Sequence, residues 1–361
     1  VKKIALIFLV LSVFLMVGCK QTLKTGQNQA QEQNQAQTQD QNQEEEKQET
    51  IFGVYEVCSD LENCNVEKNI KKIKQAGFEA VIVTATDEDE NKSFAYYSSE
   101  YLPMPDYVEK DYFKRVVESA HENNIKVYAS VNLPHNYWLK NHPDWIIVWS
   151  NNKKGDYYEQ DYFHRSVPAS RITSELECKK LLENLIKEIE ALGVDGIDIN
   201  DNFQFPDQYV EQTDQVLFSS YDQFTLNKFN SQKELDWFEW RSKQVTQLIK
   251  FFSQTISIDF RPHLLTHANP YEYYGLDYKE IGKYADKMYF MIMPDQTEEK
   301  YNIISEYKNA AVSTYLFEQM ANKQEVLKIL DLIKQKGANE IYLYNFDLIE
   351  KRNLWDILQS I

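Results

Sequence analysis

Past residue 50 the chain alternates between two spacings of apolar residues. Short runs rich in β-branched and aromatic residues predict strands at Ile51–Val57, Ala80–Thr86, Lys126–Leu133, Gly196–Asp201, His263–Ala268, Lys287–Met293, Ala311–Phe317 and Glu340–Phe346. Between them, apolar residues at helical spacing predict helices at Val66–Gln75, Tyr112–Asn123, Ser174–Leu192, Lys233–Ser257, Lys279–Tyr284, Lys323–Lys336 and Leu348–Ile361. Gly77, Gly193 and Gly337 stand in short turns ahead of strands. Eight such strand–helix units predict an α/β fold, a (β/α)8 TIM barrel over residues 51–361. The alternative is a doubly wound open sheet, which is disfavoured because no Gly-rich phosphate loop follows the first strand.

The first fifty residues follow another pattern. Lys2 and Lys3 precede an unbroken apolar run, Ile4–Val17, that ends in Gly18-Cys19. As a helix this run would reach about 21 Å, short of a bilayer core, so residues 1–18 are expected to be a signal peptide. Met16-Val17-Gly18-Cys19 resembles a bacterial lipobox, which implies cleavage before Cys19 and lipidation of its thiol. Residues 19–50 are dominated by Gln, Asn and Glu and hold little to bury, so a disordered tether is expected. The expectation is therefore a protein of the bacterial cell envelope, lipid-anchored and facing outside the cytoplasm.

Charge narrows the partners. The chain has 39 Lys+Arg against 56 Asp+Glu, a formal net charge of −17, which opposes a nucleic-acid partner. Four cysteines are too few for a disulfide-dense scaffold. Cys58 and Cys64 could close a small loop in an exported protein, while Cys178 reads as a buried thiol. No His-x-x-x-His or Cys-x-x-Cys spacing suggests a metal, and no cofactor motif stands out.

In a (β/α)8 barrel, function sits on the loops after the strands' C-terminal ends. Those positions carry Glu56, Asp87, Asn132 with His135, Asp198 with Asp201, His267 with Asn269, Asp295, Glu318, and Asn345 with Asp347. Such a ring of carboxylates, amides and imidazoles suits a ligand rich in hydroxyl groups. Trp138 and Trp145, in the long loop after the third strand, could offer apolar faces to sugar rings. The fourth strand is the most informative. In Gly193-Val194-Asp195-Gly196-Ile197-Asp198-Ile199-Asn200-Asp201, the two isoleucines share one face, which turns Asp198 and Asn200 into the barrel and leaves Asp201 at its lip. Asp195 reads as a turn cap. Glycoside cleavage needs one carboxyl to protonate the leaving oxygen and another to attack or to activate water.

Ile51 to about Phe203 resembles the glycosyl-hydrolase-like family 10 barrels, bacterial proteins often made as lipoproteins. The resemblance is carried in order by Tyr97-Ser98-Ser99, Tyr112–His121, Asn124–Asn132, Asn141-His142-Pro143-Asp144-Trp145 and Val194-Asp195-Gly196-Ile197. Looser matches follow at Trp240-Arg241 and Ala285-Asp286-Lys287-Met288-Tyr289. It implies a hydrolase-like barrel acting on a polysaccharide. Two departures stand out. The family's strand usually ends in paired aspartates, which align with Asn200 and Asp201. The same stretch also resembles the family-18 chitinase signature, yet Asn200 and Asn202 occupy its final aspartate and glutamate. An amide cannot donate a catalytic proton, so a chitinase-type mechanism through Asn202 is not expected.

The expectation is therefore catalysis by Asp201 and Asp198 with a carboxylate from another strand. Glu318 is preferred by analogy of fold, because acids at strands four and seven face one another in many retaining glycosidases. Asn132, His135, Trp138, Trp145, Asn200, His267, Asp295, Asn345 and Asp347 are expected to bind substrate. The alternatives are a carbohydrate-binding lipoprotein without activity and an envelope scaffold.

Overall fold

The structure, a computed structural model, describes residues 50–58, 60–89, 92–148, 166–203, 208–210, 215–217, 222–232, 234–266, 269–293, 298–316 and 323–361. Cys19 and the expected leader and tether lie outside the described residues. Eight parallel strands close on themselves: β1 (Ile51–Tyr55), β2 (Ala80–Glu88), β3 (Lys126–Val131), β4 (Gly196–Ile199), β5 (Asp259–Leu265), β6 (Met288–Ile292), β7 (Ala310–Tyr315) and β8 (Glu340–Tyr344). Each pairs with the next in sequence, and β1 pairs with both β2 and β8, through Gly53↔Ala80 and Gly53↔Tyr342.

The connecting helices are α1 (Val66–Gln75), α2 (Tyr112–Glu122), α3 (Leu176–Ala191), α4 (Trp237–Thr255), α5 (Tyr278–Ile281), α6 (Glu298–Glu306), α7 (Lys323–Gln335) and α8 (Phe346–Arg352). In α1 the buried residues are Val66, Ile70 and Ile73, one face of a helix. Burying each contributes about 1.5–3 kcal/mol. Gly77, Gly193 and Gly337 adopt φ of +92°, +83° and +91°, left-handed geometry that lets the chain turn from helix into strand. Several elements differ from the sequence reading, among them the closing helix, which ends at Arg352. β5 starts at Asp259, before the expected His263, and α6 forms between β6 and β7, where no helix was expected.

Alternation along the strands builds two cores. Val81, Val83, Ile197, Ile199, Phe260, Leu264, Ile341 and Leu343 face outward and pack under the helices. Tyr55, Ile82, Tyr128, Tyr289 and Tyr342 fill the barrel's interior. Gly53 and Gly196 make room for this tyrosine layer. A Cβ on Gly53 would lie 2.3 Å from the Tyr342 ring, and one on Gly196 2.7 Å from the Asp259 carbonyl oxygen. Below the tyrosines, buried Arg261 donates Nη1 hydrogen bonds to Glu340 (2.6 Å) and Tyr342 (2.9 Å) and an Nη2 bond to Asp259 (2.5 Å), with its guanidinium 3.4 Å from the Tyr128 ring centre. Lys287 lies 3.1 Å from Glu340. This ionic plug closes the N-terminal end.

Carboxylates ahead of two strands cap their neighbours. Asp195 accepts the Val127 N–H (2.7 Å), and Asp286 accepts the Phe260 N–H (2.9 Å). Cys58 and Cys64 are joined as a disulfide, and Cys178 is a buried free thiol. Among the described residues, no helix is long and apolar enough to cross a membrane.

Candidate active site

At the C-terminal end of the strands lies a cavity of about 590 Å³. One wall is polar: Asp87 and Glu88 from β2, Asn132 after β3, and Asn200, Asp201 and Asn202 after β4. The opposite wall is apolar: Leu265, Tyr274, Met291 and Met293. Its floor is aromatic, with Tyr344 5.0 Å from Tyr55 and 4.3 Å from Tyr315 between ring centres.

β4 carries the acids into this space. Asp198, fully buried inside the barrel, accepts a hydrogen bond from the Tyr55 hydroxyl (3.3 Å), whose oxygen in turn accepts from the Ser130 hydroxyl (2.7 Å). Its other oxygen, Oδ1, is buried with no hydrogen-bond partner among the described residues. Burial pushes the Asp198 carboxyl well above the usual carboxylate range. The Arg261 guanidinium and the Tyr55 bond pull it down, and the Asp201 charge pushes it further up. Asp201 opens a short 3-10 turn, Asp201–Phe203, on the cavity wall. Burial pushes its carboxyl up to about 6, which keeps a proton available near neutral pH.

Further carboxyls come from β1 and β2. Glu56 follows β1 in a left-handed conformation, φ 66°, that is unfavourable for glutamate. Thr84 donates both its N–H (3.2 Å) and its hydroxyl (2.5 Å) to Glu56 Oε1, while burial pushes the acid up to about 7. Asp87 is likewise raised by burial and accepts from Asn132 Nδ2 (2.8 Å). Glu56, Asp87 and Asp201 all act electrostatically on the Tyr344 hydroxyl. Acidic groups from β2 and the exit of β4 thus line one mouth, and Glu56 lies behind the lining residue Thr84.

Two imidazoles are held neutral. His135 donates from Nε2 to the Asn202 carbonyl oxygen (2.9 Å) and accepts the Val167 N–H at Nδ1 (3.1 Å); burial pushes it down to about 4. His263 on β5 is stacked on Tyr289 at 4.4 Å and pushed down to about 3 by burial.

The expected site residues divide. Asp198, Asn200, Asp201, Asn132 and His135 come together around the cavity. Trp138 and Trp145 do not reach it: Trp138 is fully buried against His135, and Trp145 is buried and stacked on His142 at 3.8 Å. Their faces are used in packing, which corrects the expectation that they line a sugar subsite. Asn345 caps α8 by accepting the Leu348 N–H (3.3 Å), and Asp347 pairs with Lys351 in the same helix. Neither lines the cavity. Glu318, His267 and Asp295 lie outside the described residues.

Sequence reasoning missed His263, Glu88 and the tyrosine floor. Asp259, Arg261 and His263 alternate with Phe260, Leu264 and their outward neighbours, a period of two that marks an inward polar face. Placing β5 four residues late concealed it.

The sequence profile of the glycosyl hydrolase-like 10 family matches residues 54–326. The chain belongs to that family. This glycosyl hydrolase-like 10 barrel is similar in fold to the glycoside hydrolase domain of PgaB (BpsB) from Bordetella bronchiseptica, at a TM-score of 0.61 and 14% identity over 86% of this chain and 98% of that one. It is also similar to alpha-L-fucosidase isoenzyme 2 from Paenibacillus thiaminolyticus, at 0.62 and 10% over 86% of this chain and 48% of the other. The catalytic domain of beta-amylase from Paenibacillus polymyxa follows at 0.57 and 9%, over 84% and 94%. At such identities the likeness speaks for the fold. A comparison with curated proteins gave no match.

Proposed function

We propose that this protein is a glycoside hydrolase that cleaves an extracellular or envelope polysaccharide, held at the membrane by a lipid on Cys19 and extended from it by residues 19–50. The observation that carries the reading is the convergence of Asp201, Asp87 and Glu88 at one cavity, with Asp198 beneath and Glu56 bonded to the lining residue Thr84. Membership of a glycosyl hydrolase-like family supports a glycan ligand.

Asp201, raised to about 6 and open to the cavity, is the group that transfers the proton. Asp198 keeps a proton through burial and shapes the field around it. Glu318, after β7, is the proposed second carboxyl. The Tyr315 and Tyr344 rings give the C–H face of a sugar an apolar surface, while Asn132 and Asn200 meet its hydroxyls; His267 and Asp295, which follow β5 and β6 in the sequence, are proposed as further substrate-binding residues.

The test is release of reducing ends from a panel of soluble glycans by the wild type and by Asp201→Asn and Glu318→Gln. Hydrolysis that collapses in both variants, with glycan affinity kept, supports the reading. A second reading, binding without cleavage, is favoured by the amides at positions 200 and 202. Affinity for a glycan with no reducing ends released from any would select it.

A further inference from the structure

Asn200 occupies a place where related barrels are expected to carry an aspartate, and its bonds give it work of its own. Its Oδ1 accepts the Asp201 N–H (2.8 Å) and lies 3.2 Å from His263 Nδ1. A main-chain N–H only donates, so the atom facing it is the amide oxygen and not the nitrogen. His263 Nδ1, against that same oxygen, must then carry a hydrogen. A buried neutral imidazole has one N–H, so Nε2 accepts, and the fully buried Ser313 hydroxyl donates to it (2.9 Å). Tyr289 stacks on the ring, and Asp198 Oδ2 lies 4.0 Å from Nδ1, farther than Asn200. The direction of every bond in this chain is therefore fixed. With Oδ1 committed twice, Nδ2 is the part of the Asn200 amide left to meet a ligand in the cavity that the residue lines.

We propose that Ser313, His263 and Asn200 form a positioning relay. It fixes Asn200 as a neutral hydrogen-bond donor to a sugar oxygen beside Asp201, so position 200 is a binding group and not a lost acid. The donor role rests on the hydrolase reading; the relay does not. Ser313 and His263 act through Asn200, since neither needs to touch the glycan. An amide does here what a carboxylate cannot. It accepts from Asp201 and His263 and still offers N–H outward, without adding a negative charge next to Asp198 and Asp201.

The relay is tested in full-length protein labelled with 15N at histidine, with the His263 resonance assigned from its loss in His263→Asn. The expected signature is a neutral Nδ1–H tautomer, lost or mixed with the other in Ser313→Ala. A neutral Nε2–H tautomer, or a protonated ring at pH 6, overturns the relay. Function is read on whichever glycan of the panel the wild type cleaves. Asn200→Ala should raise KM about five- to tenfold, the loss of one hydrogen bond, with kcat changed far less. His263→Asn, whose amide reaches the Nδ1 position, should keep near wild-type KM. His263→Gln, closer in volume but reaching the Nε2 position, should behave like Asn200→Ala. Equal loss in both histidine variants, or an unchanged KM in Asn200→Ala, overturns the donor role. A wild type that cleaves no glycan defeats the hydrolase reading and the donor role together, while the tautomer still decides the relay.

Discussion

The side chain of Asn202 pairs with the main chain of Leu133 in both directions: Leu133 N–H donates to Asn202 Oδ1 (2.9 Å), and Asn202 Nδ2 donates to the Leu133 carbonyl (3.1 Å). The Asn202 carbonyl also accepts from His135. This stitches the exit of β4 to the exit of β3, and it needs a donor and an acceptor on one side chain. An ionised carboxylate there would leave the Leu133 carbonyl facing a second acceptor. Asn202→Asp and Asn202→Ala are therefore each expected to lower stability by about 1–3 kcal/mol, measured by urea unfolding. Asn202→Asp should not raise hydrolysis. A rise would give this position the acid role it has in chitinases.

Glu56 carries a stability cost close to the cavity. Its acid is raised from 4.5 to about 7 by burial, so the folded state holds a proton that the unfolded chain has released. Stability should fall as pH rises from about 4.5 to 7, by on the order of 1–3 kcal/mol. Glu56→Gln should flatten that slope and unfold at a higher temperature than the wild type at pH 8. Unfolding temperatures across pH 4–8 check this. A slope unchanged in the variant would show that Glu56 titrates normally. Glu56→Gly, which also removes the cost of φ 66°, should be at least as stable as Glu56→Gln at pH 8.

Much of the architecture was legible because its causes are local. The alternation of Ile197 and Ile199 with Asp198 and Asn200 points the right residues into the barrel, and the turn glycines ahead of β2, β4 and β8 punctuate the units. The site was only partly legible. Asp201 and Asn132 stand at strand ends, where position alone makes them candidates. Trp138 looks equally suited to a sugar until its packing on His135 is seen, because loop aromatics serve cores and clefts with the same composition. His263 could not be placed without the start of β5, and β5 begins with Asp259, Arg261 and Pro262, residues that do not resemble a strand. They point to the ionic plug, which is a tertiary feature.

That plug should be indispensable to the fold. Glu340→Gln leaves Arg261 buried with Asp259 as its remaining carboxylate partner, and Lys287 loses its own. A loss of about 3–5 kcal/mol is expected, read from chemical unfolding. A loss under about 1 kcal/mol, the range of exposed pairs, would mean that water reaches the plug.

Gly53 and Gly196 should tolerate no side chain. Gly196→Ala places a methyl against backbone, the Asp259 carbonyl, and is expected to cost more than about 3 kcal/mol or to abolish soluble protein. Gly53→Ala in a Tyr342→Phe background should be no better, because the clash is with the ring itself. Recovery of wild-type stability in that double variant would show that the tyrosine layer can move.

The most direct measurement compares the wild type and Asp201→Asn for reducing ends released from one glycan, alongside the affinity of each for it. The account predicts a fall in kcat of about a hundredfold or more, with affinity within a few-fold of wild type. Undiminished turnover in Asp201→Asn would contradict it.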